Sequence, residues 1–444
     1  MRFSELDGKR VGVWGAGREI RSFAARLRAS LPSARIAVVA HDEAIDADAR
    51  AELASFDPSY VAAADSVAEL GACDVVVRSP GVSMYRSELA ALRERGTVVT
   101  TATSLWLAEH GGSGVIGVTG TKGKSTTAAL AAHLARAAGR TAHVAGNIGA
   151  PVLDLLDAPA GELIVVELSS YQIADLATGP EIAVVTNLYP EHVDWHETHD
   201  AYFADKLRLL QLPGVRATVL NARDPRVATA DAVGPRFYGT PDAWDATPDG
   251  VTKAGELAVA AVDLPLRGEH NALNLCAALT ALELAGIEPP LPDAVAGFAS
   301  LPHRLDVVDD RDGVLWVDDS ISTTPESTLA ALASYPDRRI VLIAGGQNRS
   351  QAHDSLARAL VDRDATVIGL PLTGSALVAA TRAAGASPDR ARETTDMDAA
   401  VALARELAPP GAVVLLSPAA PSYNAYSSFE ERGDHFAALV RDPT

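Results

Sequence analysis

The sequence predicts an α/β protein of three domains with largely parallel sheets covered by helices, and three observations carry that expectation. Strand-like apolar runs alternate with helical segments along the 444 residues, the signature of repeated βα units. A glycine cluster at Gly111-Gly112-Ser113-Gly114 and a proline-rich stretch, Pro289-Pro290 with Leu301-Pro302, interrupt the alternation and mark boundaries near residues 112 and 300. Length alone gives a prior of about three domains at about 150 residues each. The expected divisions are 1–111, 112–300 and 301–444.

In the first domain Arg10-Val11-Gly12-Val13-Trp14, Ile36 to Ala40, Val75-Val76-Val77 and Val98-Val99 read as strands. In the second, Val115 to Val118, Leu163 to Leu168 and Ile182 to Asn187 do so. The alanine-rich stretch Ala128 to Ala138, broken by His133 and Arg136, reads as an ordinary packed helix. Between about Val219 and Leu266 the runs are short and mixed with Thr240-Pro241-Asp242 and Pro248-Asp249-Gly250, which predicts a small antiparallel excursion. The third domain starts again at Leu315-Trp316-Val317 and continues through Ile340 to Ala344, Thr366 to Leu370 and Ala412 to Leu416.

Composition narrows the function. With 48% hydrophobic and 21% charged residues the chain is ordinary for a folded globular protein. Lys+Arg 38 against Asp+Glu 57 leaves a net charge of −19, which argues against nucleic-acid or anionic-membrane partners held by general electrostatics. Any anionic ligand must then be met by local groups. The N-terminal Met1 to Arg10 lacks the apolar core of a signal peptide, and no apolar run reaches membrane-spanning length. Two cysteines, Cys73 and Cys276, stand far apart in apolar surroundings, as suits a reducing, cytoplasmic setting.

One motif carries chemistry strongly. Val115-Ile116-Gly117-Val118 runs into Thr119-Gly120-Thr121-Lys122-Gly123-Lys124-Ser125-Thr126-Thr127 and then a helix, the strand, glycine loop, helix order of a phosphate-binding loop. Backbone N–H groups can close on phosphate oxygens, Lys124 can neutralise phosphate, and Ser125 can ligate Mg²⁺. The strict eight-position pattern needs glycine where Val118 stands; the compact form keeps the rest. Weaker signals surround it. Gly15-Ala16-Gly17-Arg18-Glu19-Ile20 is half a dinucleotide fingerprint, equally readable as a tight turn without a ligand. Ser79-Pro80-Gly81-Val82 follows another strand and would face the same crevice. Glu167 ends an apolar strand, where either a metal ion or backbone groups must satisfy it. His192 and His196 share the loop Thr186 to His196 with Glu191 and Asp194, a density that suits a metal or catalytic loop as well as a histidine-rich surface. Lys206 by itself reads as an exposed helical lysine.

Taken in order, these segments resemble the Mur ligases, the ATP-dependent amino-acid-adding enzymes of peptidoglycan precursor synthesis. The resemblance runs through the phosphate loop, Ala145-Gly146-Asn147-Ile148-Gly149, Glu167-Leu168-Ser169-Ser170, Asn187 to His192, Lys206, Glu269-His270-Asn271 with Asn274, His303-Arg304, Asp319-Ser320 and Leu416-Ser417-Pro418-Ala419. It spans about residues 10 to 436. The last segment, Ser417 to Ser422 with Phe429-Glu430, Arg432-Gly433 and Phe436, is most similar to the branch that adds glutamate to UDP-N-acetylmuramoyl-L-alanine.

The resemblance implies a Rossmann-like UDP-binding first domain, a central phosphate-loop ATPase domain and a Rossmann-like C-terminal domain. It implies ATP and two Mg²⁺ ions as cofactors, and an acyl phosphate that the amino acid's amine attacks. By the same implication Gly120, Thr121, Lys122, Gly123, Lys124, Ser125 and Thr126 hold the phosphates, and Ser125 and Glu167 ligate one Mg²⁺. His192 ligates a second together with Lys206, which the family carries as a carbamate. Asn271, Asn274, Arg304 and Asp319 contact the nucleotide. Gly15, Ala16, Gly17, Arg18, Ser79, Pro80 and Gly81 hold UDP, Asn147 touches the muramoyl-alanine part, and Thr323, Arg349, Ser422 and Phe429 bind the amino acid.

Three departures sharpen the substrate. Lys122 stands where most members carry asparagine. Asp319-Ser320-Ile321-Ser322-Thr323-Thr324 has Ile321 where the D-glutamate-adding enzymes have a carboxylate-binding lysine, and Gly345-Gly346-Gln347-Asn348-Arg349 has arginine in place of a second. Arg349 can still pair two carboxylate oxygens, whereas Ile321 cannot. The set resembles the variant branch that adds L-glutamate, with a separate epimerase acting on the product. The alternatives are the same reaction with D-glutamate, a folylpolyglutamate synthetase-like ligase, against which residues 1–111 argue, and a nucleotide-binding protein without catalysis.

Overall fold

A computed structural model describes residues 1–42, 45, 47–191, 193–266, 268–298, 302–348 and 353–442. His192 and Arg349 therefore lie outside the described residues. The chain divides into two compact units, Met1–Pro265 with Glu269–Phe298, and Leu266–Gly268 with Ala299–Thr444.

The first unit contains two parallel sheets. Strands β1 (Arg10–Trp14), β2 (Arg35–His41), β3 (Ser59–Ala62), β4 (Val75–Arg78) and β5 (Val98–Thr100) lie in the order β3-β2-β1-β4-β5. Strands β6 (Val115–Thr119), β7 (Ala142–Gly146), β8 (Leu163–Glu167), β9 (Ile182–Val185), β10 (Ala217–Asn221) and β11 (Pro235–Tyr238) lie in the order β11-β10-β9-β6-β8-β7. The apolar runs at β1, β4, β6, β8 and β9 are buried along nearly their whole length, as strands covered on both faces must be. One continuous core joins the two sheets, taking in Val11, Val77, Trp106 and Leu107 from the first and Leu153, Ile164 and Val185 from the second. Polar bolts reinforce it: the fully buried Arg78 side chain of β4 donates from Nε and Nη2 to the two Asp175 carboxylate oxygens, at 2.9 and 2.8 Å, and Ser22 donates to Asp154 at 2.6 Å. That shared core is why the two sheets fall within one compact unit.

The expected antiparallel excursion is present but narrower than its sequence range. β10 and β11 continue the parallel sheet, and only β12 (Trp244–Thr247), β13 (Gly250–Lys253) and β14 (Glu256–Ala260) form an antiparallel sheet. Pairing partner, which short runs do not encode, decides the difference.

The second unit holds β15 (Asp306–Arg311), β16 (Val314–Asp318), β17 (Ile340–Ala344), β18 (Thr366–Gly369), β19 (Ala391–Glu393) and β20 (Val413–Leu416), ordered β15-β16-β20-β17-β18-β19. All pairs are parallel except β15 with β16. β15 precedes the expected first strand of this region; its sequence Asp-Val-Val-Asp-Asp-Arg suits an edge, where charge blunts further pairing. Among the described residues no helix is long and apolar enough to cross a membrane.

Each large sheet reverses its strand order once, and loops at the strand ends beside such a reversal form a crevice. In the first sheet it lies between β1 and β4, in the central sheet beside β6, and in the third between β17 and β20. Gly15 and Ser79, the phosphate loop, and Gly345 with Pro418 stand at these three places.

Candidate functional site: a phosphate loop, a buried carboxylate and a buried lysine

The loop after β6 is held open by the segment after β9. The Thr121 and Lys122 N–H groups donate to the Asn187 carbonyl and side-chain oxygen, each at 2.8 Å. Asn187 Nδ2 and Thr186 Oγ1 donate in turn to the Lys122 carbonyl at 3.0 and 2.6 Å. Gly123 takes φ +82° and starts the helix Lys124–Ala137, whose first turn carries Ser125 and Thr126. A Cβ at Gly123 would come within 2.2 Å of Asn274 Oδ1, so only glycine brings this turn so close to the helix Glu269–Leu284. Asn274 donates to Asn271 at 3.2 Å on that helix, which places both expected nucleotide contacts beside the loop. Lys124 Nζ donates to the Thr121 carbonyl at 2.8 Å, folding back over the loop, and Lys122 pairs with Glu191. The helix N-terminus and its lysines make this a site for polyanionic phosphate.

Glu167 closes β8 and is fully buried. Its Oε1 accepts from Asn147 Nδ2 at 2.9 Å, while Oε2 has no hydrogen-bond partner among the described residues. A buried carboxylate oxygen without a donor is costly, and a divalent cation is the partner that would satisfy it. The residue set therefore fits Mg²⁺ at Glu167 with the Ser125 hydroxyl. Among the described residues no group of three or more His, Cys, Asp or Glu side chains is gathered for a metal.

Arg18, expected at the UDP turn, donates to three carbonyls of the loop that carries Asn147: Gly146 at 2.7 Å, Asn147 at 3.1 Å and Gly149 at 3.0 Å. It braces the partner of Glu167. Asn147 N–H also donates to the Glu167 carbonyl at 3.0 Å. The turn itself is built at the strand reversal: Gly15 N–H donates to the Ala40 carbonyl at 2.8 Å and Ser79 N–H to the Trp14 carbonyl at 2.7 Å. Gly15, Ala16, Gly17, Ser79, Pro80 and Gly81 thus share one rim.

Lys206, the bland exposed lysine of the local reading, is almost completely buried on the helix His199–Leu207. Its Nζ donates to the Gly120 carbonyl at 2.8 Å and lies 5.1 Å from the centre of the Tyr202 ring. Burial, reinforced by the nearby Lys124 charge, holds its pKa well below the usual lysine range, against the pull of Glu191 and Glu167. The amine is thereby driven toward its neutral form.

In the second unit, Asp319 follows β16 and accepts from Ser417 Oγ at 2.8 Å; burial pushes its pKa up to about 6. Arg304 is the nearby cation that opposes this shift. Ser320 Oγ donates to the Phe429 carbonyl at 2.8 Å, and the Phe429 ring meets His303 edge-on. Gly345 N–H donates to the Pro418 carbonyl and Gln347 N–H to the Pro421 carbonyl, each at 2.8 Å. The loops carrying Asp319, Thr323, Gln347, Ser422 and Phe429 thus gather at one end of this sheet. Arg432, buried, ties them by donating to the Ser320 and Ala420 carbonyls at 2.8 and 3.0 Å.

Tyr202, Asp205 and Tyr85 join the first unit's site without belonging to any motif. Thr121 Oγ1 lies 2.8 Å from the Tyr202 hydroxyl, and His196, Asp205, Ser170 and Tyr85 form a buried network beside Lys206. The density of histidines and acids after β9 pointed to His196, and Asp205 adjoins Lys206; nothing local marked Tyr85.

Comparison with known proteins agrees with this architecture. Residues 118–282 match the family described as Mur ligase middle domain, and residues 303–420 match Mur ligase, glutamate ligase domain. The chain is 43% identical to the UDP-N-acetylmuramoyl-L-alanine--L-glutamate ligase of a Micromonospora species, covering 100% of this chain and 98% of that protein. It is 42% identical to the protein of the same name from Salinispora tropica, covering 100% and 99%. Its fold is similar to that of UDP-N-acetylmuramate-alanine ligase from Thermotoga maritima, with a TM-score of 0.60 at 17% identity over 98% of this chain and 99% of that one. Two matched domain families and full-length relatives at 43% and 42% identity agree: this chain belongs to the Mur ligases.

Proposed function

We propose that this protein is an ATP-dependent amide ligase that joins L-glutamate to UDP-N-acetylmuramoyl-L-alanine in peptidoglycan precursor synthesis. The observation that carries the reading is the convergence on one loop of the Lys124 amine, the orphaned Glu167 oxygen and the neutral-leaning Lys206 amine. Full-length similarity to relatives named for this reaction supports it. The proposed division is a UDP-substrate domain over 1–111, an ATP domain over 112–300 and an amino-acid domain over 301–444.

A carboxylate is a poor electrophile, so the reaction must activate it. The substrate carboxylate oxygen attacks the γ-phosphorus of ATP, the bond to the β-phosphate oxygen breaks, and ADP leaves. The glutamate amine then attacks the acyl carbon, and the tetrahedral adduct expels phosphate, with a proton lost from nitrogen. Gly120 to Thr126 would cradle the phosphates, with Lys124 offsetting their charge. Arg18 and Asn147 would orient Glu167, while Asn271 and Asn274 would hold the nucleotide beside Gly123. Mg²⁺ bound through Ser125, Glu167, His192 and a Lys206 carbamate would supply further charge neutralisation. Carbamate formation needs a neutral amine, which burial of Lys206 favours. Arg304 and Asp319 would contact the nucleotide, and Thr323, Arg349, Ser422 and Phe429 would hold glutamate. Ile321 offers no carboxylate grip, which supports the L isomer, so a separate epimerase would act downstream. The expected location is the cytoplasm, where ATP is available.

The test supplies ATP, Mg²⁺, UDP-N-acetylmuramoyl-L-alanine and either glutamate isomer, following phosphate release and product mass. Product from L-glutamate alone is expected. Product from D-glutamate alone would overturn the stereochemical reading, and phosphate release independent of the muramoyl substrate would overturn the ligase reading.

A further inference from the structure

The segment after β4 in the first sheet is tied by three hydrogen bonds to the residues between Trp195 and Lys206, two of them at Trp195 in the short helix Val193–His196 and one at Asp205 on the helix that carries Lys206. Trp195 Nε1 donates to the Pro80 carbonyl at 3.0 Å, and Ser83 Oγ donates to the Trp195 carbonyl at 2.7 Å. The Tyr85 hydroxyl donates to Asp205 Oδ2 at 2.9 Å. Around them the aromatic rings interlock: Tyr171 stacks on Trp195 at 4.6 Å, Tyr85 meets Trp195 edge-on at 5.9 Å, and Arg78 lies over Trp195 at 5.5 Å. Pro80 belongs to the turn assigned to UDP, and Asp205 is the residue before Lys206.

Asp205 Oδ2 also meets His196 Nδ1 at 2.6 Å, and His196 Nε2 meets Ser170 Oγ at 2.9 Å. Every group is satisfied when Nδ1–H donates to Asp205 and the Ser170 hydroxyl donates to Nε2. Serine, histidine and aspartate stand in the order of an acyl-transfer triad. The His196 ring has no exposed surface, however, and Ser170 is 2% exposed, so no acyl group can reach the hydroxyl. The network is a brace. It joins the end of the Glu167 segment, the Lys206 helix and the UDP-turn segment, and Lys206 passes it on to the phosphate loop through the Gly120 carbonyl at 2.8 Å.

We propose that Tyr85 and His196 are positioning residues that couple the UDP-substrate turn to the ATP loop, so that occupancy of either site tightens the other. The path runs from Pro80 through Trp195 and its neighbour His196, and from Tyr85 directly, to Asp205, then through Lys206 to Gly120, every step a hydrogen bond or a covalent neighbour. The coupling rests on the ligand assignment of the proposed function. It demands reciprocity: if the UDP-substrate tightens nucleotide binding by some factor, the nucleotide tightens substrate binding by the same factor. A brace that only stabilised the fold would leave that factor unchanged when weakened.

The test is calorimetric titration of the full chain with Mg²⁺ and the non-hydrolysable ATP analogue AMP-PNP, with and without saturating UDP-N-acetylmuramoyl-L-alanine. In the unaltered protein the substrate is expected to tighten analogue binding at least about five-fold. Tyr85→Phe keeps the ring and deletes one hydroxyl; it should bring the factor toward one while changing each separate Kd by less than about two-fold. Ser83→Ala cuts the neighbouring strut and should lower the factor as well, which keeps the test decisive if Tyr85→Phe does not fold. An undiminished factor in a folded variant would overturn the proposal, as would a factor of one in the unaltered protein binding both ligands. Failure of the unaltered protein to bind the UDP-substrate at all would instead overturn the function on which the coupling rests.

Discussion

Gly123→Ala is expected to damage the phosphate loop through a steric collision that backbone strain alone does not supply, and Gly139 provides the control. Both glycines have left-handed backbones, φ +82° and +78°. An alanine side chain in that conformation costs roughly 1–2 kcal/mol. At Gly139 the new Cβ would meet nothing within 4 Å, whereas at Gly123 it would sit 2.2 Å from Asn274 Oδ1 and force that side chain away. The displaced Asn274 loses its bond to Asn271, adding about 1–2 kcal/mol for the broken buried hydrogen bond. Gly139→Ala should therefore cost about 1–2 kcal/mol and leave ATP binding alone. Gly123→Ala should cost about 2–4 kcal/mol and weaken ATP binding by about tenfold, because the same asparagines are proposed to hold the nucleotide. Urea unfolding followed by circular dichroism, with calorimetric titration of ATP analogue, reads both quantities. Equal destabilisation by the two substitutions, or unchanged nucleotide affinity in Gly123→Ala, would refute the reasoning.

Three further perturbations follow from buried charges. Arg78→Met strips Asp175 of its bidentate partner and the Tyr171 and Val82 carbonyls of a donor, so unfolding in urea should lose about 3–5 kcal/mol; a loss below 1 kcal/mol would contradict the buried-pair account. Glu167→Gln keeps an acceptor for Asn147 but removes the charge, so the Mg²⁺ concentration for half-maximal phosphate release should rise more than about tenfold while the urea midpoint holds or rises. An unchanged Mg²⁺ titration would remove Glu167 from the metal site. Asp319 has a folded pKa pushed up from 3.8 to about 6, so its protonated form favours folding: the stabilising contribution is complete below pH 3.8 and is lost as pH rises through about 6. The loss approaches about 3 kcal/mol by pH 7.5. Asp319→Asn should therefore become more stable relative to the unaltered protein between pH 4.5 and pH 7.5, as urea midpoints would register; a pH-independent difference would oppose this.

Much of the fold was legible because its central strands are apolar runs buried on both faces. β1, β4, β6, β8 and β9 fall on such runs. The strands without that signal lie toward sheet edges: β3 is half exposed, and β15 carries four charged residues in six. Edge strands have one pairing side and less burial, so they leave a weaker pattern. The phosphate loop was legible for a different reason. Its function depends on local backbone geometry, and residues from Gly120 to Ser125 encode that geometry within one turn.

The sequence by itself determined the reaction class, the strand, glycine loop and helix order around Gly123, and the identity of Glu167 and Lys206 as residues of interest. What only the tertiary structure decided is their environment. Lys206 reads locally as an exposed helical lysine, yet its amine is buried against Gly120, with a depressed pKa. Arg18 reads as part of a nucleotide turn, yet its guanidinium braces carbonyls 128 to 131 residues away. Tyr85 and Asp205 are separated by 120 residues and share a hydrogen bond. Desolvation and hydrogen bonding act through space at a few ångströms, so the charge state of a lysine and the partner of a tyrosine depend on which distant segments folding brings to them.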